Sequence, residues 1–446
     1  MPRFTFRGGV HPPSRKSETS QIEITQAPQP AKVILPLQSS AGLRFKPLVN
    51  AGEGVALGQP VAVTDGPESL VCHASVSGRV AFIGPHPHFS GRELRSIVIE
   101  NDGRDRRHGH HPHSGDASSL PVEELVRRIR EAGLDGLGQG REAAHLRILR
   151  AMEAKTRTVV LNAIESEPFL AGELRLMVER PEQVLTGLRL MMRMLGVKTA
   201  KVAVPGDSRD AVQSLRKALG RTKSIAILPM DTKYPMGSER TLAEALSGGN
   251  IPFAKSGRNS GVYVENGSAA CAIADAAALR PVIERVITVA GDGVGRPANL
   301  TVRIGTPVHE LIACCSGYAS DRIRLIHGGP MAGLSLSTDE IPAVQETAGI
   351  LAFLERPSGW PRPEKSCISC GRCWDCCPER LYPRKIEYWL LEGDRERALA
   401  SGLEVCTLCG ACGYICPSKR RLTVRLADAK KSARPTDGPH DLREDA

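Results

Sequence analysis

The stretches CISCGRCWDCCP (residues 367–378) and CTLCGACGYICP (residues 406–417) repeat one cysteine spacing. Each reads Cys-x2-Cys-x2-Cys-x3-Cys followed by proline. In small electron carriers with two [4Fe–4S] clusters, the fourth cysteine of each such run ligates the cluster of the other run. The spacing therefore predicts a C-terminal domain with two crossed ligand sets, which are Cys367, Cys370, Cys373 with Cys416, and Cys406, Cys409, Cys412 with Cys377.

Zinc binding and disulfide formation are the alternative uses of closely spaced cysteines. Structural zinc is usually held by two CxxC pairs and requires neither a third cysteine at the same step nor a Cys-Pro ending. Cys376 falls outside the spacing and is predicted to be a packed or outward-facing thiol. The other cysteines form no even framework like that of secreted proteins, which favours a reducing, cytosolic compartment. They are Cys72, Cys271, Cys314 and Cys315.

The length and composition of the chain limit its architecture and its partners. The chain has 446 residues, which at about 100 to 150 residues per domain predicts three or four domains. Only 4% of the residues are aromatic, which predicts no nucleic-acid partner despite a formal charge of +10. The basic groups 419–421 and 430–431 would suit anionic lipid or an acidic redox partner, although each group taken alone is predicted to be solvated surface charge.

Targeting and membrane segments are not expected from the sequence. Residues Met1–Ser20 are polar and contain prolines, which argues against a signal peptide. The most apolar stretch, Ala269–Leu279, contains Asp275 and is shorter than the roughly 20 apolar residues of a spanning helix. The sequence therefore predicts no transmembrane segment of its own, so that any membrane attachment is peripheral and depends on partners.

Short strands separated by glycine turns dominate residues 31–100. The predicted strands are Val33–Leu37, Val61–Val63, Leu70–His73, Arg79–Ile83 and Ile97–Ile99. The pattern resembles the flattened barrel of lipoyl and biotinyl carriers. No lysine occurs between Lys46 and Lys155, so the attachment residue of a carrier is missing and a structural module is expected. The histidines of the following linker, residues 103–119, are predicted to belong to a flexible polar segment rather than a metal site.

Helices and strands alternate from Pro121, which predicts a largely parallel sheet covered by helices. The predicted helices are Val122–Ala132, Arg141–Lys155, Pro181–Leu195 and Ser208–Leu219, and the predicted strands are Thr158–Leu161, Lys201–Val204 and Ser224–Leu228. A small mixed α/β unit is predicted next, from Val286–Gly291, Asn299–Gly305, Pro307–Cys315 and Arg322–His327. One helix, Arg384–Leu403, is predicted between the cysteine repeats, and the charged tail is predicted to be disordered.

Further stretches carry a family resemblance. They are FRGGVHP (6–12), NAIESEPF (162–169), TKYPMGSE (232–239), RPAN (296–299) and GGPM (328–331). With the carrier-like barrel, the alternating domain and the tandem cysteine repeats in this order, they resemble the C subunit of the Rnf ion-translocating electron transport complex (the RnfC/RsxC family). The resemblance covers nearly the whole chain.

This resemblance implies a multidomain α/β and α+β fold. Its parts are an N-terminal barrel-sandwich (hammerhead) domain at 1–105, a Rossmann-like flavin/NADH-type domain at 120–255, a β-grasp, soluble ligand-binding domain at 256–345, a helical two-cluster ferredoxin domain at 360–428 and a tail at 429–446. It also implies an iron–sulfur electron-transfer subunit of a membrane-bound translocase that couples electron flow between NADH and ferredoxin to ion transport. The implied location is peripheral, on the cytoplasmic side of the bacterial inner membrane, with other Rnf-type subunits as partners.

Two [4Fe–4S] clusters are the expected cofactors, and FMN is a further possibility. The resemblance implies a flavin and NADH cleft lined by Gly136, Gly138, Gly140, Arg147, Glu165, Glu167, Tyr234, Glu239 and Asn266. The phosphate loop departs from the family pattern Gly-x-Gly-Gly-Ala-Gly-Phe-Pro-Thr, because Gln139 and Arg141 replace glycines and Phe-Pro-Thr is absent. Side chains there obstruct the approach of phosphate to backbone N–H groups, although Arg147 supplies the charge of the family's lysine.

Two alternative functions remain open from the sequence. One is a soluble flavin-dependent reductase, such as the related cobalamin reductase of bacterial microcompartments, although that family lacks the Gly-Gly-x-His-Pro opening found at residues 8–12. The other is a non-catalytic electron relay whose nucleotide site has decayed, which the altered loop at Gln139 and Arg141 favours. Flavin content discriminates between them.

Overall fold

A computed structural model describes residues 4–66, 69–109, 117–137, 142–247, 261–355 and 363–431. The chain divides into two compact units. The first contains residues 13–232 and 236–355 together with the first residues of the chain. The second joins the segments Phe6–Pro12 and Lys233–Pro235 to the cysteine-rich C-terminal part. The predicted disordered tail lies outside the described residues from 432 onward, whereas residues 429–431 belong to a helix.

The strands, in chain order, are β1 (Ile24–Gln26), β2 (Lys32–Pro36), β3 (Phe45–Pro47), β4 (Gly54–Val55), β5 (Pro60–Thr64), β6 (Val71–His73), β7 (Gly78–Pro87), β8 (Glu93–Asn101), β9 (Thr158–Asn162), β10 (Ala200–Pro205), β11 (Ile225–Met230), β12 (Val262–Asn266), β13 (Glu284–Ala290), β14 (Ala298–Arg303), β15 (Ile323–His327), β16 (Leu334–Ser335) and β17 (Gly349–Leu354).

The helices are α1 (Val122–Glu131), α2 (Ala144–Glu153), α3 (Gly172–Glu179), α4 (Pro181–Met194), α5 (Arg209–Leu219), α6 (Glu239–Leu246), α7 (Gly267–Ala277), α8 (Val308–Cys314), α9 (Arg372–Asp375), α10 (Pro383–Leu391), α11 (Arg395–Ala400), α12 (Ala411–Ile415) and α13 (Leu422–Lys431). No helix among the described residues combines the length and apolar character that crossing a membrane requires.

Two antiparallel sheets form the N-terminal part of the first unit. One has the order β2-β8-β7-β4 and the other β3-β5-β6. Consecutive residues of β2 and β8, Val33–Leu35 and Ile97–Ile99, are buried, so both faces of these two strands are covered. The first residue of β7 has to be glycine, because a Cβ atom at Gly78 would overlap the carbonyl oxygen of Glu100.

The linker predicted after these sheets is only partly described. Residues 110–116, which include His110, His111 and His113, lie outside the described residues.

A parallel sheet with the order β11-β10-β9-β12 forms the middle of the first unit. Its central strand β9 is almost entirely buried, which is typical of a parallel sheet with helices on both faces. Gly187 of α4 allows close contact with α7, because a Cβ atom at Gly187 would overlap the carbonyl oxygen of Ala270. The strand β12 follows residue 255, so the sheet extends beyond the boundary predicted from the sequence.

A mixed sheet with the order β1-β14-β13-β17-β15-β16 completes the first unit. The N-terminal strand β1 pairs in parallel with β14, with Ile24 opposite Asn299, so a segment from within residues 1–105 contributes to this sheet. Asn299 stabilises the pairing of β1 with β14, because its buried side-chain amide donates to the carbonyl oxygens of Thr19 (2.8 Å) and Ile22 (3.0 Å) just before β1.

Short helices pack around a small core in the second unit, with Leu381, Ile386, Ala398, Leu403 and Leu426 buried together. The single helix predicted over Arg384–Leu403 is wrong. The structure has two helices, α10 and α11, because Gly393 takes a left-handed conformation (φ 74°) and Asp394 then caps the N-terminus of α11. Its carboxylate accepts the backbone N–H of Arg397 at 2.9 Å.

Candidate metal centre and nucleotide cleft

The two cysteine repeats adopt the same backbone conformation. Gly371 and Gly410 occupy equivalent positions and have φ values of 73° and 82°. Two further equivalent pairs, Ser369 with Leu408 and Arg380 with Lys419, also lie in the left-handed region. Left-handed backbone is unusual for residues other than glycine, so its recurrence at equivalent positions indicates two loops of one design.

Four cysteines from both repeats line one cavity of the second unit. Its empty volume is about 370 Å³, and its lining includes Cys377 from the first repeat with Cys406, Cys409 and Cys412 from the second. This is the crossed combination that the spacing predicts. Four sulfur donors around one cavity fit a [4Fe–4S] cluster, whose irons are held by four thiolates.

Hydrogen bonds join the segments that flank the other predicted ligand set. The backbone N–H of Lys365 donates to the carbonyl of Ser418 (2.9 Å), and the Ser418 hydroxyl donates to the carbonyl of Ser366 (2.9 Å). These bonds join the residues just before Cys367 to those just after Cys416. The prediction that Cys416 shares a ligand set with Cys367 requires these two flanks to lie close together.

Backbone N–H groups point at the cysteine sulfurs. Ser369 donates to Cys367 Sγ and Leu408 donates to Cys406 Sγ, each at 3.4 Å, two residues after the cysteine in both repeats. Such bonds stabilise negative charge on sulfur and help to set the reduction potential of a cluster. Burial raises the pKa of Cys412 to about 12, and the positive charge of a bound metal would hold its sulfur as the thiolate.

Cys376 is the one cysteine of the two runs that falls outside their common spacing. Its side chain is buried, and its thiol donates to the carbonyl oxygen of Cys373 at 3.5 Å. Burial raises its pKa, and the neighbouring cysteine sulfurs raise it further. Cys376 is therefore a packed thiol in this structure, the first of the two roles predicted for it.

A buried carboxylate gathers three arginines beside the repeats. Glu387 on α10 is fully buried and contacts Arg420 at 2.8 Å, Arg425 at 2.5 Å and Arg384 at 3.4 Å. Arg425 also reaches Glu364 at 2.5 Å. The network ties α10, which follows the first repeat, to the segment and helix that follow the second. No local pattern predicts this network, because its members are distant along the chain.

Tyr234, which the resemblance places in the nucleotide cleft, belongs to the second unit. Its hydroxyl donates to the carbonyl oxygen of Cys409 at 2.6 Å, and its side chain is 4% exposed. The other predicted cleft residues, Arg147, Glu165, Glu167, Glu239 and Asn266, belong to the first unit.

The strand order of the parallel sheet predicts where a ligand would bind in the first unit. Open sheets of this kind bind ligands at the carboxyl ends of the strands, where the strand order reverses. Here that point lies between β9 and β12, whose last residues, Asn162 and Asn266, are paired in register. The side chain of Asn162 holds the following loop, because it donates to the carbonyl of Gly237 (2.8 Å) and accepts the N–H of Ile164 (3.1 Å).

The N-terminus of α7 lies at this edge, and its N–H groups already have partners. Glu173 accepts from the backbone N–H groups of Gly267 (2.9 Å) and Ser268 (3.2 Å) and from the Ser268 hydroxyl. Asn266 Oδ1 accepts the N–H of Ala269 at 2.9 Å. A carboxylate of the chain itself therefore occupies the place where a helix N-terminus would bind an anion. Burial raises the pKa of Glu173 to about 7.

The cation predicted to bind phosphate is paired within the protein. Arg147 on α2 lies 3.4 Å from the carboxylate of Glu265 and 3.6 Å from that of Glu239. Its guanidinium also donates to the carbonyl of Val264 at 2.7 Å and lies over the ring of Tyr263. Glu265 and Tyr263 were not predicted, since the strand β12 that carries them was not recognised in the sequence.

The two acidic residues after β9 face other parts of the first unit. The backbone carbonyl of Glu165 accepts from Lys16 Nζ, and burial raises the pKa of the Glu165 carboxyl. The carboxylate of Glu167 accepts the N–H groups of Met331 and Ala332, both at 3.0 Å. Gly329 is needed beside it, because a Cβ atom there would overlap Glu167. Glu167 thus joins the parallel sheet to the GGPM stretch.

The predicted glycine loop is only partly described. Gly136 has a φ of 69° and packs against Ser40 and Glu346, while Gly138 and Gly140 lie outside the described residues. A flavin phosphate needs free N–H donors and an available cation. In the described part of this edge, Glu173 takes the donors of α7, and Glu239 and Glu265 take the charge of Arg147. The N-terminus of α7 therefore has no free N–H donors for a flavin phosphate, and Arg147 is already paired with two carboxylates.

Comparison with known protein families divides the chain into matched domains. Residues 4–104 match the RnfC barrel sandwich hybrid domain, residues 129–275 the Nuo51 FMN-binding domain and residues 286–335 the SLBB domain. The fold is therefore a multidomain α/β fold that begins with an RnfC-type barrel-sandwich domain.

Among solved structures, an NAD+-reducing [NiFe]-hydrogenase is similar with a TM-score of 0.48 and 16% identity, over 73% of this chain and 64% of that chain. The chain thus spans less than two thirds of that protein. At this TM-score and identity, nothing of its activity carries over.

Curated relatives cover most of the chain. The C subunit of the ion-translocating oxidoreductase complex of Rhodobacter capsulatus is 38% identical over 90% of this chain and 78% of the relative. The C subunit of the Na(+)-translocating ferredoxin:NAD(+) oxidoreductase complex of Acetobacterium woodii is 34% identical over 86% of both chains. These relatives confirm the resemblance drawn from the sequence, and the chain belongs to the RnfC family of ion-translocating oxidoreductase C subunits.

Proposed function

We propose that this protein is an iron–sulfur electron-transfer subunit of a membrane-bound Rnf-type complex, and that it relays single electrons through two [4Fe–4S] clusters. The observation that carries the proposal is the cavity lined by Cys377, Cys406, Cys409 and Cys412. Membership of the RnfC family supplies the setting, in which electron flow between NADH and ferredoxin is coupled to ion transport. The first cluster is held by the complementary set, Cys367, Cys370, Cys373 and Cys416.

Each cluster passes one electron at a time, and the protein fixes its ligands and surroundings. The N–H groups of Ser369 and Leu408 stabilise negative charge on the sulfurs as a cluster is reduced. Lys430 places a positive charge beside the second cluster, since its Nζ donates to the carbonyls of Cys406 (2.7 Å) and Glu404 (3.0 Å). These contacts favour the reduced state of the cluster.

Large apolar side chains are exposed beside the ligands of the first cluster. Ile368 is 66%, Trp374 51% and Tyr382 45% exposed, and two of them directly follow Cys367 and Cys373. Exposed apolar surface of this kind marks places that other proteins cover. It supports electron exchange at the first cluster with another subunit of the complex or with a soluble redox protein.

The site supports a relay better than a flavin dehydrogenase. The match to an FMN-binding domain favours flavin, yet Glu173 caps α7 at the ligand-binding edge of the parallel sheet and Arg147 is paired with two carboxylates. Flavin and NADH are therefore expected to bind weakly or not at all. About one flavin per purified chain, or reduction of the clusters by NADH without another subunit, would replace the relay with an active dehydrogenase.

Iron and sulfide analysis of anaerobically purified protein tests the central part of the proposal. The expected content is about eight iron and eight sulfide atoms per chain, from two [4Fe–4S] clusters. Cys373→Ala should remove one cluster and Cys409→Ala the other. Zinc in place of iron after anoxic preparation would refute the proposal.

Membrane attachment is expected to be peripheral, on the cytoplasmic side of the inner membrane and through partner subunits. The described residues contain no spanning helix, and cluster thiolates require a reducing compartment. Fractionation of cells with and without the membrane partners tests this location. Retention on the membrane after deletion of every partner would contradict it.

A further inference from the structure

Two short segments from distant parts of the chain lie against the cysteine loops of the second unit. Phe6–Pro12 and Lys233–Pro235 pair with each other, because Val10 and Tyr234 exchange backbone hydrogen bonds of 2.9 and 2.8 Å. The ammonium of Lys233 donates to the carbonyl of Phe6 and lies 4.3 Å from the centre of its ring. The cluster-bearing unit is therefore built from three separate stretches of sequence.

Both segments bond to the backbone of cluster ligands or their neighbours. The N–H of Gly9 donates to the carbonyl of Cys376 at 2.8 Å, next to the ligand Cys377. Gly8 has a φ of 84°, and a Cβ atom there would lie 3.0 Å from the carbonyl oxygen of Cys377. The Tyr234 hydroxyl donates to the carbonyl of Cys409 at 2.6 Å. Cys377 and Cys409 come from different repeats, yet both line the same cavity.

We infer that Tyr234 is a positioning residue for the cluster held by Cys377, Cys406, Cys409 and Cys412, and that its hydroxyl raises the reduction potential of that cluster. The inference rests on the proposed function, since it requires the cluster to be present. The positive end of the hydroxyl dipole points toward the cysteine loop, which favours the extra negative charge of the reduced state. The bond also ties the Lys233–Pro235 segment to the Cys409 loop.

The burial of Tyr234 explains why its hydroxyl affects the cluster. Tyr234 is 4% exposed, so water does not replace its bond to Cys409 when the hydroxyl is removed. Loss of one buried hydrogen bond changes an equilibrium constant by up to about tenfold. The carbonyl of Cys409 lies on the backbone of a ligand itself, whereas the bond from Gly9 reaches only a neighbour of a ligand.

Tyr234→Phe removes the hydroxyl and keeps the ring, and Tyr382→Phe is the matched control. Tyr382 lies in the same unit but is 45% exposed, and its ring lies near Trp374 beside the first repeat. Both variants and the unchanged protein are purified anaerobically as full chains, analysed for iron, and titrated electrochemically with detection by electron paramagnetic resonance.

The expected result is full iron content in Tyr234→Phe, with the midpoint of one cluster signal lowered and the other unchanged. The expected shift is up to about tenfold in the equilibrium constant for reduction, which is about 59 mV for one electron. Loss of that one cluster, with the other retained, also supports the positioning role. Unchanged midpoints, equal shifts of both signals, or the same shift in Tyr382→Phe would overturn the inference. Failure of the proposed function is distinct, because the unchanged protein would then contain no clusters.

Discussion

Replacement of Glu387 by glutamine tests whether the buried arginine network holds the two cysteine repeats together. The variant keeps the shape of the side chain but leaves Arg384, Arg420 and Arg425 without its charge. Breaking a buried ion pair costs about 3 to 5 kcal/mol. The three guanidinium groups are 29%, 15% and 28% exposed, so water compensates part of the loss and the lower end, about 3 kcal/mol, is expected.

A loss of about 3 kcal/mol changes by roughly 100-fold the equilibrium between the intact second unit and forms in which its two cysteine repeats have separated. Release of iron to a chelator under anaerobic conditions, followed by the loss of cluster absorbance, should be correspondingly faster at the same temperature. Glu396→Gln is the matched control, because Glu396 is exposed on α11. The same release rate in both variants, within a factor of two or so, would refute the structural role assigned to Glu387.

Three further predictions concern particular residues. Burial raises the pKa of Glu173 from 4.5 in the unfolded chain to about 7 in the folded protein. Protonated Glu173 therefore contributes its full stability below pH 4.5, and this contribution is lost as the pH rises through 7. Between about pH 5 and 8, the stability of Glu173→Gln should therefore rise relative to that of the unchanged protein by up to about 3 kcal/mol. Urea unfolding at several pH values measures this, and a stability difference that does not change with pH would contradict it. Gly187→Ala should destabilise the first unit by about 2 kcal/mol, although alanine has the better helix propensity, because the added methyl overlaps the carbonyl of Ala270. An unchanged midpoint of urea unfolding would disprove the close contact between α4 and α7. Cys376→Ser should keep both clusters and the full iron content, since a hydroxyl can donate to the carbonyl of Cys373 as the thiol does; loss of a cluster would make Cys376 a ligand.

Local patterns in the sequence were sufficient for much of the fold. The predicted helix Pro181–Leu195 differs from the observed α4 by one residue, because a proline begins it and a regular apolar face follows. The split between α10 and α11 was missed, although Gly393 and Asp394 are together a recognisable end and start signal. The strand β12 was missed because it leads directly into the alanine-rich helix α7, so that no turn signal marks its end.

The candidate site likewise contains residues that local patterns predict and contacts that they do not. The spacing of the cysteines carries its own ligand pattern, so the candidate ligands could be named from the sequence alone. Tertiary contacts could not be inferred locally. Nothing near Tyr234 indicates that its hydroxyl reaches Cys409, and nothing near Glu173 indicates that it caps α7. Family resemblance suggested a cleft role for Tyr234 and Glu167, whereas their observed partners are the Cys409 loop and the N–H groups of Met331 and Ala332.

The crossing of the two ligand sets is tested most directly by electron paramagnetic resonance of dithionite-reduced full chains carrying single cysteine replacements. Cys377→Ala and Cys409→Ala should abolish the same cluster signal, because both residues line one cavity, while the signal that depends on Cys373 remains. If Cys377→Ala instead abolishes the signal that Cys373→Ala abolishes, each repeat holds its own cluster and the crossed arrangement is wrong.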